Sequence, residues 1–155
     1  MIIVGIDPGK DGGYAEMTDG RLTYVGLLNE NIDRLRRLEF EDAHIWMEKA
    51  QVMNREGRPT SATAMFSYGR GFGRIEGLIE AMHIPCTLVI PAEWSREMHR
   101  GTAANQDTKA RSYEAAKRLF PDQTFLATES SYKPHDGMFE AALIAEYGRR
   151  RLAGQ

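Results

Sequence analysis

Acidic side chains at three places in the sequence have the types and spacing that metal-assisted chemistry requires. Asp7 follows a short apolar run and precedes Pro8-Gly9, and Glu48 follows a second largely apolar run. Asp136 and Glu140 are four residues apart, a spacing that puts both carboxylates on one face of a helix. Carboxylate oxygens suit Mg²⁺, whereas no Cys/His cluster has zinc-site spacing. The sequence therefore predicts an oxygen-ligand metal site built from these four acids.

Each of these acids also has a simpler structural interpretation. Asp7 can cap the turn that Pro8-Gly9 begins, and Glu48 can be an ordinary solvated residue. Asp136 can cap its helix while Glu140 points to water. Like charges four residues apart cost a helix a few tenths of a kcal/mol, so a compensating cation is expected in the metal-site interpretation.

Two further side chains are candidates for roles beside the acids. His135 immediately precedes Asp136 and could move a proton or help to hold a second metal ion, although a structural loop histidine is an equally simple interpretation. Lys109, in Asp107-Thr108-Lys109, could steady the attacking water or the charge that develops on phosphate. The alternative for Lys109 is a solvated position on a helix.

The predicted elements place these residues at the ends of strands and helices. Residues 2–6, 14–17 and 22–28 read as three antiparallel strands, with Asp19-Gly20 as a hairpin turn between the last two. A helix with Ile32, Leu35 and Leu38 at helical spacing, capped by Asn29 or Asn31, precedes a buried strand at 43–46. The remaining predictions are a loop at 49–61, a helix at 62–82 whose four glycines suggest close packing, a strand at 86–90, and helices at 92–98, 107–120 and 136–151.

Hairpins followed by alternating strands and helices indicate an α/β fold, with a mixed central sheet and helices on both faces. Ligands in such sheets gather at the carboxyl ends of strands. Both Asp7 and Glu48 are predicted at such ends, which favours one shared site.

Length and composition set the outer limits of the interpretation. The 155 residues fit a single domain, and no apolar run approaches the roughly 18 residues that cross a bilayer. With no signal-peptide pattern, a cytoplasmic location is expected. The net charge of −2 argues against general polyanion coating, yet basic residues concentrate between Arg58 and Arg118. Cys86 lies in an apolar run and is expected to be a buried thiol without a role.

Taken in order, these motifs resemble the RuvC-type Holliday-junction resolvases, particularly their organellar and phage relatives. The segments that carry the resemblance are Ile6-Asp7-Pro8-Gly9, Trp46-Met47-Glu48, Phe66 to Gly73, Val89 to Trp94, Asp107-Thr108-Lys109, Arg118 to Pro121 and His135 to Leu143. The resemblance implies an RNase H-like fold and a homodimer that makes paired symmetric nicks in four-way DNA junctions. It also implies two Mg²⁺ ions per site, with Mn²⁺ able to substitute.

The same resemblance assigns roles to particular residues. It makes Asp7, Glu48, Asp136 and Glu140 the metal-binding acids, and it places Lys109 near the scissile phosphate. Glu140 departs from the aspartate of many bacterial members and stands four rather than three residues after its partner. How the last two acids divide the metal ions is therefore left open.

Aromatic and basic residues between 66 and 74 match the part of the family that contacts the junction. Phe66 and Tyr68 are candidates for stacking on bases at the junction centre, whereas Phe72 reads as packing. Arg70 and Arg74 are candidates for phosphate contacts, which position DNA without reading its sequence. A core-facing helix stripe is the alternative for the aromatic residues.

Two other functions remain open at this stage. The turn from Asp7 to Gly13 also resembles the phosphate-binding turn of sugar-kinase and actin-like phosphotransferases, but no second such turn opens a second lobe. A non-catalytic junction-binding protein would be indicated by loss of one acid, and all four are present.

Overall fold

The computed structural model describes residues 1–9, 11–50 and 61–154. Its first three strands form an antiparallel meander, β1 (Ile2–Asp7), β2 (Gly13–Thr18) and β3 (Arg21–Leu27). Asp19 and Gly20 both have positive φ, 51° and 75°, as the tightest right-twisted hairpin turns require. The predicted meander and its turn are confirmed.

Two parallel strands complete the sheet on the other side of β1. The strand β4 (Ala43–Glu48) runs parallel to β1, and β5 (Cys86–Val89) runs parallel to β4. The strand order is β3-β2-β1-β4-β5. Since β1 and β4 are parallel neighbours, Asp7 and Glu48, the last residue of each, lie at the same edge of the sheet.

Helices cover both faces of this sheet, as the continuous burial of the middle residues of β1 requires. They are α1 (Ile32–Arg37), α2 (Ala62–Ala81), α3 (Pro91–Met98), α4 (Thr108–Leu119) and α5 (Asp136–Leu152). One core contains Ile3 and the helices α3, α4 and α5. The other contains Val4 and Ile6 with residues of α1 and α2. The predicted mixed α/β sheet is therefore confirmed.

The helix α5 lies in very close contact with the first two strands, and glycines make this approach possible. A Cβ atom at Gly5 of β1 would stand 2.0 Å from the carbonyl oxygen of Ala141. A Cβ at Gly13 of β2 would stand 1.8 Å from the carbonyl oxygen of Gly137. The start of α5 is thus set directly against the turn that follows Asp7.

The prediction that the glycines of α2 mark close packing is wrong within the chain. All 20 residues of α2 are described, and Ile75 and Ile79 are its buried ones. Side chains added at the glycines would meet no described atom within 4 Å, which holds for Gly69, Gly71, Gly73 and Gly77. The glycine positions of α2 therefore lie open on the surface, whereas Phe72 packs against the core as predicted.

Two smaller predictions also fail. Asn31 precedes α1 but makes no side-chain cap, because its Nδ2 donates to the Leu27 carbonyl at 2.6 Å. Cys86 is exposed rather than buried, because β5 is an edge strand.

Most of the predicted loop, 51–60, lies outside the described residues. Among the described residues, no helix is long and apolar enough to cross a membrane.

Candidate functional site

Asp7 ends β1 and is held by the turn that follows. Its Oδ1 accepts a hydrogen bond of 3.0 Å from the Gly9 backbone N–H, so the expected turn-capping contact is present. Burial raises the pKa of Asp7, while the Gly9 N–H and the neighbouring His135 lower it. The turn occupies one carboxylate oxygen and leaves Oδ2 unneeded for capping.

Glu48 ends β4 and is half-buried beside Asp7. Its Oε2 accepts a hydrogen bond of 2.8 Å from the indole Nε1 of Trp94, at the start of α3. Burial and the neighbouring charge of Asp7 raise the pKa of Glu48 to about 7, and the Trp94 hydrogen bond opposes that rise. Glu48 is therefore not the freely solvated residue of the simpler interpretation.

Asp136 and Glu140 lie on the first turns of α5, on the face that approaches these strand ends. Burial raises the pKa of Glu140 to about 8, helped by the charges of Asp7, Glu48 and Asp136. Repulsion of this kind acts between charges that lie near one another, so the four carboxyl groups are neighbours. Glu140 therefore belongs to the cluster and does not simply point to water.

Asp7 is the common neighbour within this cluster. Its charge raises the pKa of Glu48, of Glu140 and of the Tyr68 hydroxyl. The arrangement follows from topology, because β1 is the central strand and α5 packs directly on it. Asp7 is thus placed where its carboxylate could contact two bound ions.

Two basic residues lie beside the acids, as the sequence predicted. Lys109, the second residue of α4, forms an ion pair with the Asp136 carboxylate. His135 precedes α5, and its backbone N–H donates to the Phe125 carbonyl at 2.8 Å. The buried Nδ1 of His135 has no hydrogen-bond partner among the described residues, so it remains open to a proton or another ligand.

The aromatic and basic candidates of α2 divide into two groups. Tyr68 is half-buried and lies close enough to Glu48 and Asp7 for their charges to raise its pKa, burial being the larger cause. It helps to line a cleft of about 450 Å³ with Pro8, Gly9, Asn29 and Arg74. Phe66 is 70% exposed and lines an outer groove with Arg70 and Arg74. Tyr68 and Arg74 therefore lie beside the Asp7 turn, whereas Phe66 and Arg70 line the groove farther out.

The donor atoms of these residues suit a divalent ion held in an open site. Across residues 1–9, 11–50 and 61–154, no three carboxylate, imidazole or thiol side chains are arranged to hold one ion together. Mg²⁺ keeps several waters and needs only one or two carboxylates plus substrate phosphate. The donor set of four carboxylates and the unpartnered His135 Nδ1 fits such an open site.

Sequence reasoning missed three residues that position this site. Trp94 lies in the segment Val89 to Trp94, but the sequence assigns it no role, because its hydrogen-bond partner Glu48 is 46 residues away. Gly13 and Gly137 bring α5 against the turn after Asp7. A glycine directly beside a candidate acid, as in Asp136-Gly137, was the available signal for this approach.

Comparison with known proteins gives a match in structure alone. No family model matches the chain, and no curated protein matches its sequence. The RuvC of T. thermophilus in complex with Holliday junction substrate superimposes with a TM-score of 0.60 at 12% identity, covering 99% of this chain and 97% of that chain. A second Thermus thermophilus RuvC structure gives 0.53 at 17% identity, with 97% of each covered. The predicted RNase H-like fold, and the likeness to RuvC at the level of fold, are confirmed.

Proposed function

We propose that this chain is a divalent-metal-dependent DNA endonuclease that resolves four-way junctions by paired symmetric nicks. The observation that carries the proposal is that Asp7 and Glu48 end neighbouring parallel strands of a RuvC-like sheet, while the start of α5, which bears Asp136 and Glu140, packs against the turn after Asp7. The similar RuvC structure that is bound to a Holliday junction supports branched DNA as the substrate class.

In this proposal, the four carboxylates would hold two Mg²⁺ ions, with Mn²⁺ able to substitute. When bound, the ions supply positive charge to the transition state and a more acidic water as the nucleophile. Asp136 is paired with Lys109, so an ion that used Asp136 would compete with that ammonium group. His135 is proposed to move a proton or to complete the second ion's ligands.

Residues of the chain itself orient the substrate. Lys109 stands beside Asp136 and would place its positive charge near the scissile phosphate, where negative charge develops. Arg74 and Tyr68 line the cleft next to the Asp7 turn, and Phe66 and Arg70 extend the surface outward. We assign the arginines to phosphates and the aromatic rings to unpaired bases at the junction centre.

A homodimer would supply the second active site that paired nicks require, and α2 is the proposed interface. Its glycine positions are open, so a second helix could approach its backbone closely. Two copies packed across a two-fold axis would bring these open positions of α2 together.

The mass in solution tests this interface. Gly77→Leu adds a bulky side chain to the open face of α2 and is expected to halve the mass measured by light scattering. Thr63→Leu changes an exposed residue nearer the start of the same helix and should leave the mass unchanged. A dimer that persists with Gly77→Leu would place the interface elsewhere.

Cleavage assays test the function itself. The protein is incubated with labelled four-way junction, linear duplex, fork and RNA–DNA hybrid, with and without Mg²⁺. We expect paired nicks in the junction that require Mg²⁺, and we expect Asp7→Asn to bind the junction without cleaving it. Unchanged cleavage by Asp7→Asn would contradict the mechanism. ATP turnover without DNA would favour the phosphotransferase, and binding without cleavage would indicate a junction-binding protein.

A further inference from the structure

A fully exposed tyrosine lies in the loop that leads into α5. Tyr132 is 99% exposed, and Lys133 beside it is exposed as well. Single exposed aromatic side chains are common on protein surfaces, so exposure by itself assigns no function. Two further observations indicate a binding role for this pair. They are its position in the fold and the ordered loop that carries it.

Tyr132 lies close to the acid cluster along the chain. It precedes Asp136 by four positions, and four extended residues span at most about 14 Å. Successive nucleotides of one strand are spaced by about 3.4 Å along a duplex axis. If the acids bind the scissile phosphate, Tyr132 lies within about four nucleotides of it.

The loop that carries Tyr132 and the helix α2 pack on opposite faces of the sheet. Phe125, in the same loop as Tyr132, is buried in the core that covers one face of the sheet, where it packs against Phe139 of α5. The buried residues of α2 belong to the core on the other face. A DNA strand that reached the acids would therefore meet α2 on one flank and Tyr132 on the other.

The loop that carries Tyr132 is tied down by its own hydrogen bonds. The Ser131 N–H donates to the Thr128 carbonyl at 3.0 Å, and the Thr128 N–H donates to the Ser131 hydroxyl at 3.1 Å. Farther along, the His135 N–H is bonded to Phe125, which anchors the loop. An aromatic ring presented on an ordered loop loses less conformational freedom when it binds.

From these observations we infer that Tyr132 and Lys133 form a second DNA contact on the flank of the active site opposite α2. Tyr132 stacks on a nucleobase near the cleaved bond, and Lys133 binds a backbone phosphate. Stacking needs only an exposed π-face, and the tyrosine hydroxyl is not required for it. The inference rests on the proposed function and names a substrate contact of the same site.

The test compares Tyr132→Ala and Tyr132→Phe with a matched control. Phe40 is an 85% exposed aromatic residue that precedes the start of β4, at the end of the sheet away from Asp7 and Glu48. Affinity for a labelled four-way junction is measured without metal. We expect Tyr132→Ala to weaken binding roughly 5- to 100-fold, while Tyr132→Phe and Phe40→Ala remain within about twofold of wild type.

A base-specific probe separates stacking from a general effect on folding. Four junctions are prepared, each with 2-aminopurine at one of the four nucleotides beside the cleavage site. At the position that Tyr132 contacts, the fluorescence of the probe should be quenched by wild type and by Tyr132→Phe. The same position should lose the quenching with Tyr132→Ala. Lys133→Gln should reduce the salt dependence of binding by about one phosphate contact.

The outcomes distinguish this inference from the proposed function. If wild type cleaves the junction and Tyr132→Ala binds and quenches as wild type does, the inference is overturned and the function stands. If wild type neither binds nor cleaves any branched DNA, both are overturned.

Discussion

Lys109 and Asp136, 27 residues apart in sequence, form an ion pair that joins the start of α4 to the start of α5. The lysine therefore places a positive charge beside a group of carboxylates that repel one another. Its charge lowers the pKa of both Asp7 and Glu140. In the protein without metal, Lys109 partly does what a bound cation would do.

Replacing Lys109 by glutamine should affect metal binding and cleavage in opposite directions. Loss of the ammonium group removes a competitor for Asp136, so we expect Mn²⁺ to bind a few-fold more tightly in calorimetry. Junction cleavage should fall roughly 10- to 100-fold, because the charge near the scissile phosphate is lost. Lys117→Gln, two turns farther along α4, is the matched control. Metal affinity that stayed unchanged would mean that Lys109 does not compete for Asp136.

The hydrogen bond from Trp94 to Glu48 should set the lower pH limit of activity. Trp94→Phe removes a donor to the charged carboxylate, so the pKa of Glu48 should rise above about 7 by roughly one further unit. Metal binding needs the deprotonated acid, so the acidic limb of kcat/KM against pH should move to higher pH. Activity lost near pH 7 should return near pH 9.

Trp46 offers the matched control for this substitution. Its indole Nε1 is buried and makes no hydrogen bond within the described part of the chain. Trp46→Phe therefore changes a core tryptophan without removing a donor from an acid. An equal shift of the pH profile in both variants would show that the Trp94 hydrogen bond is not the cause.

The sequence predicted the elements that depend on local patterns. Asp19-Gly20 predicts its turn because few residue pairs tolerate two positive φ angles, and the β-branched run before Asp7 predicts a buried central strand. Spacing also put Asp136 and Glu140 on one helix face. From these patterns the sequence predicted Asp7 and Glu48 at the ends of strands and Asp136 and Glu140 on the last helix, where the structure has them.

The features that the sequence did not predict depend on contacts distant in the chain. Glycines in α2 and in α5 look alike in sequence, but Gly137 meets the backbone of residues 11–13 whereas Gly73 meets open space. Cys86 lies in an apolar run that would be buried in a central strand, and it is exposed because β5 is at an edge. Neither difference can be read from local composition.

Glutamine at position 140 should stabilise the metal-free protein at high pH. The folded pKa of Glu140 is about 8, above its ordinary 4.5, so between these values the native state binds more protons than the unfolded chain. Stability should therefore fall as pH rises through that window. Glu140→Gln removes the titrating group and should gain on the order of 1 kcal/mol near pH 8.

Thermal unfolding in chelator from pH 5 to 8 measures this effect. We expect the Tm of wild type to fall with pH, the Tm of Glu140→Gln to fall less, and added Mg²⁺ to restore wild type at pH 8. Glu114→Gln, an exposed acid on α4, should behave as wild type. A Tm that rises with pH in wild type would contradict the raised pKa.

Alanine at position 137 should separate α5 from the turn after Asp7. Its Cβ would stand 2.6 Å from the Asp11 carbonyl oxygen and 2.8 Å from backbone atoms of Gly12 and Gly13, none of which can turn away as a side chain can. The start of α5 must then move, and Asp136 moves with it. We expect chemical denaturation to show a loss of roughly 1 to 3 kcal/mol in the free energy of unfolding, and kcat to fall at least about tenfold.

Gly71→Ala, at an open position of α2, is the control. Its free energy of unfolding should be unchanged or higher by up to about 1 kcal/mol in the same denaturation experiment. Wild-type stability and cleavage in Gly137→Ala would show that the close approach of α5 to β2 does not position the acids.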